Sequence, residues 1–374
     1  MNKQLLLGAL MLCSAASVSA QNNILQVKGN VKNAETSLWV IYGDHRDTIP
    51  VKNGKFAFTA QINEPTRMYI IPVAEEGRAI RMGGNQMLAM PGEKMTITGD
   101  LNADYSFGGS NFYKDYNKVN LMLKDADKEL NAFGDSLSEC MRKGQSEETL
   151  MPIYEARIGG IQQRKADKVL AFIAANPSME AAATTILALN DADQMDKAVA
   201  LLSPEVKEGR MKSYYAPYIE RVKAAKEREE RAKKVQASGA PATDFTLNDI
   251  NGNPFTLSSL KGKYVVLDFW GSWCGWCIKG MPQMKEYYKK YAGKFEIVGI
   301  DCNDTEEKWK EAVKKHELPW IHVYNSKGDK DICQPYAIQG FPTKIVVGPD
   351  GNIVKTVVGE DPAFYSFLDE LLGK

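Results

Sequence analysis

Two cysteines spaced by two residues, in Trp273-Cys274-Gly275-Trp276-Cys277, are the side chains of this sequence best suited to chemistry. That spacing lets the thiols approach within disulfide distance, so the pair can cycle between dithiol and disulfide. The apolar run Tyr264 to Trp270 ahead of it reads as a buried strand, and Cys274 to Tyr291 after it reads as a helix. The first cysteine therefore falls at a helix N-terminus, where free N–H groups and the macrodipole favour a thiolate. This effect is worth ~0.3 to 1 kcal/mol, and up to ~2 kcal/mol in partly buried geometry. At ~1.36 kcal/mol per pKa unit, it brings a thiol from ~8.5 down to about 7. Nucleophilicity near neutral pH needs no histidine.

Asp268 is the second chemical candidate, six residues before Cys274 in the same apolar run. A carboxylate there costs several kcal/mol unless paired or protonated. Desolvation raises its pKa toward neutrality, which suits it to take the Cys277 proton when that thiol attacks a mixed disulfide. The bland alternative is an Asp facing solvent at a strand end. Zinc would need two further ligands, and no second Cys-X-X-Cys or Cys-X-X-His occurs, so no metal is expected. His45 near Asp44 and Asp47 reads as a solvated turn. No phosphate loop or Ser-His-Asp grouping is present. The expected redox group is the Cys274-Cys277 disulfide itself, with no added cofactor.

Around this pair the C-terminal third alternates strand, helix, strand, which implies a parallel pair in an α/β sheet. Asp249-Ile250-Asn251-Gly252 reads as a hairpin tip, Phe295 to Ile300 as a buried strand, and Thr305 to Lys315 as a helix. Ile321 to Tyr324, Lys344 to Val347 and Ile353 to Val358 supply further strands, and Phe364 to Leu372 a closing helix. Residues 22–108 read as a β-rich domain, a small sandwich or partial barrel with turns at Asn53-Gly54, Gly83-Gly84, Pro91-Gly92 and Gly108-Gly109. From 109 to 237 the period becomes helical. Tyr116, Val119, Leu123, Ala126, Leu130, Phe133 and Leu137 form one stripe, which Cys140 continues as a packed thiol. Helices follow at about Ile161 to Ala175, Met179 to Leu189 and Pro217 to Lys234. The last carries Glu227/Arg231, Glu229/Lys233 and Glu230/Lys234 four apart, a solvated arm ending at the Ala237-Ser238-Gly239-Ala240-Pro241 boundary.

The stretch Val265 to Pro282 resembles the thioredoxin superfamily and, within it, the exported TlpA/ResA-like thiol-disulfide oxidoreductases. Similarity extends over about residues 238–374, for which it implies a thioredoxin fold. The resemblance implies that Cys274 is the nucleophile, Cys277 the resolving thiol, Asp268 the buried acid, Pro282 the helix-kinking proline and Pro342 a cis-proline beside the disulfide. It further implies that Trp273, Trp276, Phe341 and Pro342 meet the substrate, with the Phe341 backbone pairing to an extended segment as an added strand. Disulfide-containing or dithiol proteins are then the partners, and a membrane electron donor recharges a reductase. The β-rich and helical regions look like the accessory region ahead of this domain in some exported members. Gly275-Trp276 replaces the Gly-Pro of cytosolic thioredoxins. Potentials across the superfamily run from ~−270 to ~−120 mV, about five decades of equilibrium, so reductase, oxidase and isomerase remain open. Cys302 and Cys333 read as free structural thiols rather than an auxiliary disulfide.

Composition supplies the compartment and the exclusions. Forty-seven Lys plus Arg balance 47 Asp plus Glu among 374 residues, so nothing electrostatic points to nucleic acid. Six cysteines are too few for a disulfide scaffold. Lys3, the apolar stretch from Leu5 to Val18 and the small residues before Gln21 read as a signal peptide over 1–20, which predicts export to the periplasm or cell envelope. Its removal takes Cys13 and leaves Cys140, Cys274, Cys277, Cys302 and Cys333, an odd set with at least one unpaired or intermolecular thiol. A different class of reading makes the chain a partner-binding module with a passive thioredoxin domain. Leu267 and Gly271 stand where a peroxiredoxin pattern needs Pro and Thr, which argues against peroxide as substrate.

Overall fold

The computed structural model describes residues 23–373 other than 33, 35, 74–83, 146, 329 and 330. The expected signal peptide and Gly83 lie outside the described residues. Two compact units meet at Lys223 and Ala224.

In the first unit, short runs of alternating burial form eight strands: β1 (Ile24–Lys32), β2 (Ser37–Tyr42), β3 (His45–Pro50), β4 (Lys55–Gln61), β5 (Thr66–Val73), β6 (Asn85–Ala89), β7 (Lys94–Asp100) and β8 (Tyr105–Gly109). They make two four-stranded sheets, ordered β4-β1-β7-β8 and β3-β2-β5-β6. Leu25, Val27 and Ile97 from one sheet and Leu38, Val40, Met68 and Ile70 from the other share one buried core, a sandwich. His45 and Asp47 lie exposed on β3, an edge strand.

The helical part contains α1 (Asn111–Arg142), α2 (Glu147–Ala175), α3 (Ala192–Leu201), α4 (Pro204–Lys207) and the first half of α5 (Lys212–Val235). Along α1 the expected stripe is the less exposed face, with Val119 buried and its other members half-buried. It meets α2 through the stacked rings of Phe133 and Tyr154, 5.5 Å apart, and the Lys165–Asp127 ion pair at 2.7 Å. One expectation fails in kind: Met179 to Leu189 forms a 3-10 helix over Glu180–Ala188 rather than an α-helix. The Thr184 and Thr185 hydroxyls donate to the carbonyls three residues back, at 2.7 Å each, competing with the α-helical ladder.

The second unit begins inside α5. Here the charged arm is pinned along one side: Arg231 donates to the Gln334 carbonyl at 2.9 Å, Gln236 to the Tyr336 carbonyl at 2.7 Å, and Gln339 to the Arg228 carbonyl at 2.9 Å. The arm is solvated as expected, every residue from Lys226 to Lys234 being exposed except half-buried Ala232, and these bonds hold it by its edge. Glu229 and Lys233 pair at 2.6 Å as expected, whereas Arg231 turns to the loop. A hairpin of β9 (Thr246–Asn248) and β10 (Pro254–Thr256) precedes a five-stranded sheet ordered β13-β12-β11-β14-β15. β11 (Tyr264–Trp270), β12 (Phe295–Asp301) and β13 (Ile321–Tyr324) run parallel, while β14 (Thr343–Val347) and β15 (Ile353–Val358) return antiparallel. Helices α6 (Gly275–Lys290), α7 (Glu306–Lys315) and α8 (Pro362–Leu372) complete the unit. On β11 the period of two sends Val265, Leu267 and Phe269 into a core with the hairpin, and Val266 and Trp270 into a second core with the helices. Asp268 shares the helix side.

Candidate active site

β11 ends at Trp270, and the turn to α6 carries the cysteines. Cys274 is the N-cap of α6, with extended backbone at φ −87° and ψ 97°, and its sulfur accepts the Cys277 N–H at 3.1 Å. The two cysteines form a disulfide with Cα atoms 5.3 Å apart. Both are nearly buried, at 5% and 6% exposure. An N-cap side chain normally satisfies an orphan helix N–H with oxygen. Here sulfur takes that place, so in the reduced protein the same N–H and the helix dipole stabilise a Cys274 thiolate. No acidic residue sits in the first turn to oppose it. The helix runs on through Pro282, whose ring lacks the N–H that would bond the Ile278 carbonyl.

Two aromatic side chains rim the buried disulfide in the open, Trp273 at 53% and Trp276 at 63% exposure. Trp273 stands edge-on to Phe341, ring centroids 5.3 Å apart, and its indole donates to the Cys302 carbonyl at 3.0 Å. Gly271 leaves room for this seat, since a Cβ there would come within 2.8 Å of the same carbonyl. Trp276 carries Lys279 over its ring at 4.8 Å. The Phe341–Pro342 peptide bond is cis, and the Gly359 N–H holds the Pro342 carbonyl at 2.7 Å. Trp273 and Phe341 are thus joined directly, while Trp276 projects from α6.

Asp268 is 8% exposed, and its Oδ1 has no hydrogen-bond partner among the described residues. Burial pushes its carboxyl up to about 6, with Lys344 pulling it down and Glu360 pushing it further up. Asp268 sits opposite Lys344 in the β11–β14 ladder. Lys344 is buried and binds Glu360 at 2.7 Å, and Glu360 also accepts from the Tyr365 hydroxyl at 2.9 Å. Tyr365 belongs to α8 and reaches the Gly280 carbonyl of α6 at 3.3 Å. The acid therefore rests on a polar floor that local sequence pattern does not reveal. Its only signal was a lysine opening the otherwise apolar run Lys344 to Val347.

A second polar group was also missed. Asp304 accepts from the Ser272 N–H at 2.6 Å and hydroxyl at 2.8 Å, fixing the turn just ahead of Trp273. Burial, then the Asp304 charge, pushes the neighbouring Asp301 carboxyl up to about 8. Both follow from their place at the carboxyl end of a parallel strand, where α/β sheets gather functional groups. Burial also lowers His322 to about 4, leaving it neutral between Trp270 and Trp320.

Residues 262–353 match a family described as Thioredoxin-like, and residues 25–116 match a Domain of unknown function (DUF4369). The thiol-disulfide oxidoreductase ResA of Bacillus cereus is 40% identical over 123 residues, covering 33% of this chain and 70% of that one. ResA of Bacillus subtilis is 33% identical over 124 residues, covering 33% of this chain and 68% of that one. Among solved structures, the thioredoxin domain of a thiol-disulfide oxidoreductase from Bacteroides vulgatus has 36% identity and a TM-score of 0.34, covering 36% of this chain and 98% of that one.

Proposed function

The chain belongs to the ResA-like thiol-disulfide oxidoreductases, and on that premise we propose that it is an exported enzyme that reduces or exchanges disulfides in other proteins. The observation that carries the reading is Cys274 at the α6 N-cap with its sulfur on the Cys277 N–H. In the reduced enzyme the Cys274 thiolate attacks a substrate disulfide. A Cys274–substrate mixed disulfide forms, and the first substrate sulfur leaves as a thiolate that takes a proton from solvent. Cys277 then gives its proton to Asp268 and attacks the Cys274 sulfur, which restores the Cys274–Cys277 disulfide and expels the second substrate sulfur as a thiolate, to which Asp268 passes the proton on. With a carboxyl near 6, Asp268 is ionised and able to accept that proton at neutral pH. Lys344 and Glu360 act through Asp268 as positioning residues.

Exposed Trp273 and Trp276 offer a polypeptide substrate apolar contact around two cysteines that themselves stay nearly buried. Phe341 and Pro342 complete that face and set an extended substrate segment beside the disulfide. Turnover as a reductase requires a donor that returns two electrons, which in the envelope is a membrane protein. Export rests on the signal-peptide pattern over 1–20. Among the described residues no helix is long and apolar enough to cross a membrane.

A Cys277→Ser variant expressed in its own compartment tests the assignment. It should accumulate proteins bound through Cys274 that a reductant releases, and Cys274→Ser/Cys277→Ser should accumulate none. Equal capture by both variants would overturn the roles given to the two cysteines.

A further inference from the structure

Cys302 and Cys333 take no part in this exchange. Cys302 directly follows β12 and is buried, whereas Cys333 is half-buried in the segment between β13 and β14. Both are thiols, yet their sulfurs lie 3.3 Å apart across a separation of 31 residues. The fold, not proximity in sequence, makes this contact. Cys333 is held in place by its own turn: Asp331 Oδ1 accepts the Cys333 N–H at 2.9 Å and the Asn325 amide at 2.8 Å, and Asn325 Oδ1 accepts the Ile332 N–H at 2.9 Å. Two facing sulfurs on fixed backbone, one of them reachable from solvent, are more than a pair of packed thiols.

We propose that Cys302 and Cys333 form a second redox couple, which closes to a disulfide when a small-molecule disulfide reaches Cys333. The order of attack follows from burial and hydrogen bonding. Cys333 is half-buried where Cys302 is buried, and Asn325 donates its amide N–H to the Cys333 sulfur at 3.4 Å, which holds that sulfur in place for an incoming donor. The Cys302 thiol is held protonated, first by its hydrogen bond with Cys333 and then by burial. The Cys333 thiol loses its proton as it attacks one sulfur of the donor, forming a mixed disulfide and expelling the other sulfur, which takes up that proton. Cys302 then attacks the Cys333 sulfur and breaks the mixed disulfide, and its proton passes to the second departing thiolate. The pair gives up two electrons and two protons, and one donor disulfide becomes two thiols.

The bond would tie the Asn325 to Cys333 segment to the residue that seats the active-site tryptophan. Cys302 donates its N–H to the Trp270 carbonyl at 2.8 Å and accepts the Trp273 indole at 3.0 Å, one residue from Cys274.

Oxidised and reduced glutathione in stepped ratios, applied to the full chain and followed by alkylation and non-reducing peptide mapping, test the proposal. The expected result is a Cys302–Cys333 linked peptide that rises from none to nearly all of the protein, with both free thiols lost together. Separate alkylation of the two at every ratio would overturn it, as would pairing of Cys333 with Cys140. Single-cysteine variants test the order of attack. Cys302→Ala should trap one glutathione on Cys333, and Cys333→Ala should leave Cys302 unmodified; equal glutathionylation in both contradicts it. The same maps read Cys274–Cys277 on its own peptide, so failure of either assignment is distinguishable.

Discussion

Gly280, on α6 just after Cys277, lies so close to the Glu360 carboxylate that a Cβ at this position would overlap both carboxylate oxygens. A glycine inside a helix ordinarily costs about 1 kcal/mol relative to alanine. The missing methyl lets the Glu360 head group lie against the helix while it binds Lys344 at 2.7 Å. Gly280→Ala is therefore expected to destabilise the protein by about 1 to 3 kcal/mol despite its better propensity. In a Glu360→Ala background the same substitution should stabilise by up to about 1 kcal/mol. Urea denaturation of both pairs reads the sign, and the same sign in both would remove Glu360 as the reason for the glycine.

Lys344 and Glu360 act on Asp268 in opposite directions, the first lowering its carboxyl and the second raising it. Lys344→Met should carry Asp268 above about 6, and Glu360→Gln should bring it below. A carboxyl-carbon NMR titration of Asp268 in each variant checks this. Lys344→Met also strands Glu360 without its cation, a loss on the order of 3 to 5 kcal/mol. Should that variant unfold, Glu360→Gln alone still decides, since an unmoved or raised carboxyl contradicts the arrangement.

The catalytic dithiol is legible in sequence because everything that marks it is local: the spacing of Cys274 and Cys277, the apolar run before them and the helix after them. Asp268 is legible for the same reason, as one charge inside that run. Its polar floor is not, because strand pairing brings Lys344 to it and a loop brings Glu360, both far along the chain. Cys302 and Cys333 are visible as residues but not as a pair, since only the fold closes their separation of 31 residues. At 226–234 the charge pattern describes the exposed helix surface correctly, but it says nothing of the carbonyl 103 residues away that Arg231 reaches. At Glu180–Ala188 small apolar residues suit an α- and a 3-10 helix alike, and two threonine hydroxyls favour the tighter form.

Asp268 makes stability depend on pH in a stated direction. Its carboxyl rises from 3.8 to about 6 on folding, so the folded protein holds this proton more tightly than the unfolded chain. Below 3.8 both states are protonated and the group is neutral in its effect; as pH rises toward 6 stability falls, and above 6 the full penalty persists. At ~1.36 kcal/mol per pKa unit the penalty is about 3 kcal/mol. Asp268→Asn removes it, so the advantage of the oxidised variant over the oxidised parent should grow by about 2 to 3 kcal/mol between pH 4 and pH 8. Chemical denaturation at the two pH values checks this, and a difference that does not change with pH would mean that Asp268 is not buried as a poised acid.

Trp276 gives the sharpest test of a polypeptide substrate. Its ring is 63% exposed, with Lys279 above it at 4.8 Å. Trp276→Ala should leave stability within about 0.5 kcal/mol, as for other surface positions. An exposed aromatic that becomes buried against a partner commonly contributes about 2 kcal/mol or more to binding, and ~1.4 kcal/mol is tenfold. The variant should therefore lose roughly ten- to thirtyfold in kcat/KM for reduction of insulin. Reduction of a small aromatic disulfide, which needs Cys274 but too little surface to cover an indole, should stay within about twofold. Equal losses on both substrates would mean that Trp276 acts on the cysteines and not on the partner.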